Sequence, residues 1–215
     1  MSFQRARQEH QKQLRRSQIL KEAQRQIALR DYKAVNIAEI AASLGVSKGT
    51  IFVYFSTKET LFLTIAQSQM DEWFCMVGHK TDGIFSKTEM VEHLLTCIYK
   101  MPLLPKLISL LHGVLEHNVE LTHIREFKCF LRDKVLELGS LIDQRLAWHP
   151  GAGAQGLLNL HTILIGTYEM AHPSPAATNS LKSDDLALFR IDMHTQLELL
   201  LPLVFRNTQN QSTQQ

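Results

Sequence analysis

Ser47-Lys48-Gly49-Thr50 is a polar step without an apolar side chain, set just after Gly45-Val46 and just before Ile51-Phe52-Val53-Tyr54-Phe55. A serine hydroxyl at that place can cap the first turn of a helix, whose free N–H groups carry partial positive charge. Lys48 adds a full charge, and Gly49 lets the backbone come close to another surface. Together these are the means of holding a phosphate. The distribution of charge agrees. Residues 1–58 hold eleven Lys and Arg against four Asp and Glu, a net of +7. Residues 59–215 hold twelve against seventeen, a net of −5, and the whole chain has the formal +2. A basic end on an acidic body suits a protein of which one part meets a polyanion.

Other chemistry is sparsely provided for. His112, Glu116, His117 and His123 lie close in sequence, but no HExxH or similar spacing occurs, so no metal site is expected. Cys75, Cys97 and Cys129 are odd in number and form no CxxC, which indicates reduced thiols rather than disulfides or a zinc site. No paired carboxylates, nucleophile elbow or glycine-rich phosphate loop stands out. The chain is therefore not expected to be an enzyme, and no cofactor is expected.

Apolar residues recur at three- and four-residue spacing with no sustained alternation, so the elements that position the polar step should all be helices. Residues 1–13 are polar and expected to fray. Ile19, Leu20, Ala23 and Ile27 then stripe a first helix that ends near Asp31. Asn36 can cap a second helix, Ile37–Ser43, which Gly45 stops as a left-handed residue. Ser47 caps a third helix to about Phe55, and Thr57 a fourth to about residue 79, with Glu59 favouring its positive end. Helix, glycine turn and helix form the helix-turn-helix pattern, which aims the N-terminus of the third helix into a major groove. A basic arm of Arg5, Arg7, Lys12, Arg15 and Arg16 precedes it. Further helices are expected at about 87–101, 103–117, 121–148, 153–171 and 183–206. The polar end, 207–215, is expected to be disordered. The N-terminus is basic and polar and no apolar run reaches membrane-spanning length, so a cytoplasmic location without membrane contact is expected.

Residues 16–62 resemble the DNA-binding domain of the TetR/AcrR family of bacterial transcriptional regulators. Ile19-Leu20-Lys21-Glu22-Ala23, Tyr32, Ile37, Ile40-Ala41, the run Gly45 to Phe55, Lys58-Glu59 and Leu61 carry the likeness. The family's usual glycine is here Asp31, its Thr-Thr pair is Val35-Asn36, its usual tyrosine is Phe52, and its frequent histidine is Val53. The resemblance implies an all-α protein with an N-terminal three-helix DNA-binding domain, residues 1–56. A larger helical ligand-binding and dimerisation domain, 57–206, follows. It also implies DNA-facing roles for Lys48, Thr50 and Tyr54. Lys58, Asn36 and the Arg15/Arg16 pair are expected on phosphates, while Lys48, Gly49, Thr50 and Val53 are placed for readout, Val53 against a thymine methyl. Ser47 belongs to the same DNA-binding set.

The larger domain carries little motif. Trp73, His112, Phe127 and Phe130 lie on predicted helices, and His161, Tyr168 and Glu169 share one otherwise apolar helix. Each could simply be core, but the resemblance places a ligand pocket among the middle helices. It also pairs the helices at 153–171 and 183–206 with those of a second copy. The expected function is thus transcription regulation, most often repression, with release from a palindromic double-stranded operator by a small hydrophobic effector. The expected partners are that DNA, the effector and a second copy of the chain. An all-α adaptor that uses its helix-turn-helix for protein contacts is the alternative.

Overall fold

The computed structural model describes residues 2–79 and 86–205, and every regular element in them is helical. Gly83 and the polar end at 207–215 lie outside the described residues.

Helix α1 spans Ser2–Leu29. The segment expected to fray is thus helical almost to its start. It contains no Gly or Pro and is rich in Gln, Arg, Lys and Glu, all good helix formers. Helices α2 (Ile37–Ser43) and α3 (Lys48–Tyr54) begin at the caps foreseen. Asn36 Oδ1 accepts from the Ala38 N–H at 2.9 Å, and Ser47 Oγ from that of Thr50 at 3.1 Å. Gly45 turns the chain between them at φ +64°, which a side chain would resist. Ile19, Ala23, Ile27, Ile40, Ala41, Ile51 and Phe55 fill the angle beneath the three helices.

Helix α4 (Lys58–Gly78) is buried along most of its length, from Leu61 to Val77. Against it pack α5 (Lys87–Tyr99), α6 (Leu103–Gly113) and α7 (Leu121–Leu146); α8 (Ala152–Ala171) lies on α6 and α7, and α10 (Met193–Val204) on α8 and α5, with short α9 (Pro175–Ser180) between α8 and α10 in the chain. Two expected helices are interrupted. The one at 103–117 stops at Gly113, and Leu115–Asn118 form a 3-10 turn. The last does not begin at 183, because Asp192 accepts from the Thr195 N–H at 2.9 Å and starts a new helix there. The segment before it, Asp184–Phe189, is a 3-10 turn held by Arg190, which donates to the carbonyls of Leu181, Lys182 and Ser183. Phe189, at the end of this turn, is exposed.

Two features fix how the helices meet. Helices α7 and α8 cross with their backbones touching: a Cβ on Gly139 would sit 2.5 Å from Ala154 N, and one on Gly153 would sit 2.3 Å from the Gly139 carbonyl oxygen. Beside this crossing the buried Asp143 of α7 accepts from Gly151 N at 2.7 Å and Gly153 N at 2.6 Å. It caps α8 from a neighbouring helix, where the free N–H groups and the dipole suit a carboxylate. The second feature is Lys106. From α6 it donates to the carbonyls of Ile27 and Arg30 at 2.8 and 2.7 Å. It thereby satisfies the C-terminal end of α1, where a cation is favoured.

Candidate functional site

Ser47, Lys48 and Gly49 all lie exposed at the start of α3, and Thr50 is half-buried behind them. The Ser47 and Thr50 hydroxyls stand 2.9 Å apart, so Ser47 serves the cap and steadies Thr50 at once. Val53 is 77% exposed and Phe52 40%, a degree of apolar exposure that no packing within the protomer accounts for. Lys48 Nζ rests 5.6 Å from the Phe52 ring centroid, a loose contact that leaves the ammonium accessible. Tyr54 is half-buried at the other end of α3, beside Lys12 and Arg15 of α1.

Gly49 meets only Ser47 Oγ, at 3.6 Å from an added Cβ, which is ordinary contact. Nothing in the chain itself needs a glycine there. Gly49→Ala should raise stability by about 0.5–1 kcal/mol through helix propensity. With Gly49 against DNA, as the resemblance implies, operator affinity should nevertheless fall, because the methyl would enter the space between helix and duplex. Thermal melting together with a DNA-binding titration checks both; a variant that binds as well as the parent removes Gly49 from the interface.

Asn36 spends its side-chain oxygen on the α2 cap. Lys58 is turned inward. Its ammonium donates to the Tyr32 carbonyl at 2.6 Å and lies 4.0 Å from the Tyr32 ring centroid. Burial pushes it below the usual lysine value, against the opposing pull of Glu59. Tyr32 in turn donates its hydroxyl to Glu59 at 2.8 Å, so the first turn of α4 grips the loop after α1. Nothing in the sequence signalled this, since an exposed cap-proximal lysine and an inward one have the same local pattern.

The seven residues considered for a ligand pocket divide among several places. Trp73 and His161 line one apolar cavity of about 60 Å³ with Met70, Phe74, Leu104, Ile108 and Leu164. The Trp73 indole N–H is buried and meets no acceptor. His112 stands at the edge, its Nε2 3.5 Å from Nε2 of His161, and its Nδ1 3.4 Å from Glu116, which Lys128 approaches to 2.6 Å. Burial, helped by repulsion from His112 and Lys128, holds His161 down to about 4, so it is neutral near pH 7. Phe127 is packed in the core, and Phe130 faces a groove beside Arg16 and Tyr54. Tyr168 and Glu169 face a wide cleft with Lys106, and Tyr168 stacks on His172 at 4.1 Å. Leu164 is buried in the cavity wall, which Leu158 also lines at its exposed edge; Leu199 and Leu203 are exposed on α10. Among the described residues no helix is long and apolar enough to cross a membrane.

Residues 68–206 match the tetracyclin repressor-like C-terminal domain, and residues 19–65 match the bacterial regulatory proteins of the tetR family. A fatty acid metabolism regulator protein of Bacillus subtilis (strain 168) is 28% identical over 131 residues, which are 60% of this chain and 62% of that protein. The chain thus spans about three-fifths of the length of this curated relative. The structure of the fatty acid degradation regulator FadR from Bacillus halodurans superposes with a TM-score of 0.53 over 87% of this chain and 94% of that one. At 17% identity this likeness concerns the fold. With its capped helix-turn-helix in one matched segment and its helical body in the other, the chain belongs to the TetR family of DNA-binding transcriptional regulators.

Proposed function

We propose that this regulator is a repressor that leaves a two-fold symmetric operator when an elongated hydrophobic molecule enters the cavity between α4, α6, α7 and α8. In this reading residues 1–56 hold the DNA, and residues 57–206 hold the effector and a second copy of the chain through the outward faces of α8 and α10. Ser47, Lys48, Gly49, Thr50, Val53 and Tyr54 meet the operator, with Asn36 and Lys58 shaping the turns around them. The observation that carries the proposal is the double duty of α6. Its Leu104 and Ile108 wall the cavity, and Lys106 between them caps the end of α1.

A cavity of about 60 Å³ has room for little more than water, well below the roughly 300 Å³ of a small-molecule site. Entry must therefore part the helices, and two of the walls also touch the DNA-binding part: α6 through Lys106 at the end of α1, and α4 through α1 and Tyr32. Walls of Met, Trp, Phe, Leu and Ile suit a hydrocarbon chain, with a polar head near His161, His112 and Lys128. The role of the Bacillus subtilis relative in fatty acid metabolism supports an acyl chain as the class to try.

The test is a series of saturated acyl compounds of increasing length, scored by thermal shift and by release from operator DNA. Each buried methylene contributes up to about 0.8 kcal/mol, so both readouts should grow with length. Compounds that raise the melting temperature but leave operator affinity unchanged would refute release by this route.

A further inference from the structure

We infer that the N-terminal half of α1 is a second DNA-contact surface, lying along the phosphate backbone beside the groove that α3 enters. The inference rests on the family's DNA binding and is independent of the effector reading. On an α-helix successive residues turn by about 100°, so Arg5, Lys12 and Arg15 fall within about 40° of Ile19, as does Ala23. One face of α1 is thus apolar and fully buried where it packs, at Ile19 and Ala23. The same face is cationic where the helix runs on past the three-helix core. Residues 5–14 are exposed, and Arg15 is half-buried. This face is not directed at random. Lys12 and Arg15, with Gln8, Gln11 and Gln18, share an open groove with Tyr54, the last residue of α3.

Two charges qualify the stripe. Glu9 lies at its edge, about 80° from Ile19, and Arg16 is partly engaged over the Phe55 ring at 5.0 Å. Arg7 lies about 120° away, on the side turned from the core. From Arg5 to Ile19 the helix is about 21 Å long at about 1.5 Å per residue. Over that length of duplex axis a strand carries roughly six phosphates, at about 3.4 Å of axis each, and a helix following the strand itself passes about half as many. A rigid cationic edge of that length matches a run of backbone and reads no bases, so it should add affinity without sequence preference.

The experiment measures binding to a random-sequence duplex as a function of salt, using the full chain. Each phosphate contact contributes about 0.9 to the slope of log affinity against log salt. Lys12→Gln should make the slope shallower by about that amount per bound protomer, and Arg5→Gln with Lys12→Gln by about twice as much. Arg7→Gln, which removes the same charge from the far side, should leave it nearly unchanged. Gln is also a good helix former, and equal helical content by circular dichroism confirms that α1 persists. Equal changes for Lys12→Gln and Arg7→Gln would show only a diffuse effect of net charge and overturn the docking face. An unaltered slope in the double variant would overturn it too. Should the parent protein itself show no salt-dependent binding, the failure would lie with DNA binding rather than with the arm.

Discussion

Gly153→Ala is expected to lower the melting temperature by roughly 6–12 °C, from a loss of about 3 kcal/mol in a chain of this size. The added methyl would lie 2.3 Å from the Gly139 carbonyl oxygen, 3.0 Å from Ile142 Cβ and 3.1 Å from Asp143 Oδ1. None of these is the free end of a flexible side chain. The oxygen belongs to the backbone of α7, Ile142 is fully buried, and Asp143 is tied by its two hydrogen bonds to the start of α8. Relief therefore requires α7 and α8 to part, which opens core contacts along both. Gly166 supplies the comparison within the same helix, because an added Cβ there meets nothing within 4 Å. Gly166→Ala should be neutral or stabilising by up to about 1 kcal/mol in the protomer. Melting curves followed by circular dichroism decide the matter. If the two variants melt alike, the backbone crossing of α7 and α8 is not as close as described.

Lys106→Met is expected to weaken the link between effector and operator while leaving each site able to bind. The side chain keeps its length and apolar stem but loses both donors to the end of α1. Couplings between sites amount to about 1–3 kcal/mol, or roughly 5- to 150-fold in affinity, and removing the shared strut should take away most of this. Hydrogen bonds to a charged donor contribute about 1.5–3 kcal/mol each at most. Two such bonds correspond to about four to eight buried methylenes at about 0.8 kcal/mol each. Short acyl compounds should therefore bind without releasing DNA, whereas longer ones release it from the parent protein. In Lys106→Met the operator affinity with and without a long compound should differ by no more than a few fold, although the compound still raises the melting temperature. An undiminished difference would move the coupling to another contact, such as the grip of Lys58 and Glu59 on Tyr32.

The DNA-binding end was legible because its signals are local. A cap three residues ahead of the N–H it serves, a glycine at positive φ and a stripe such as Ile19-Ala23-Ile27 all act within a turn or two. The body was legible only in part. That α8 is apolar can be read from its residues, but not that Leu164 is buried in the cavity wall while Leu158, which lines the same cavity, stays half exposed, since the helix is apolar on several sides. Lys106, Asp143 and the pair Gly139 and Gly153 act across 8 to 79 positions of sequence. No short-range pattern announces a lysine that will cap a distant helix. The break before α10 could have been read from Asp192, a capping residue followed three places later by the N–H it serves.

With Val53 on the operator as proposed and Phe52 bare beside it, binding would take on a thermal character. A recognition surface of charges and amides alone would bury little hydrocarbon. One that seats a valine and a phenylalanine edge against thymine methyls removes apolar area from water, and the heat capacity of the complex falls below that of its parts. The enthalpy of binding then grows more favourable on warming, and sites rich in thymine methyls at the contacted steps carry the larger share of that change. Temperature would thus enter the choice among operators, through two side chains that the rest of the chain leaves uncovered.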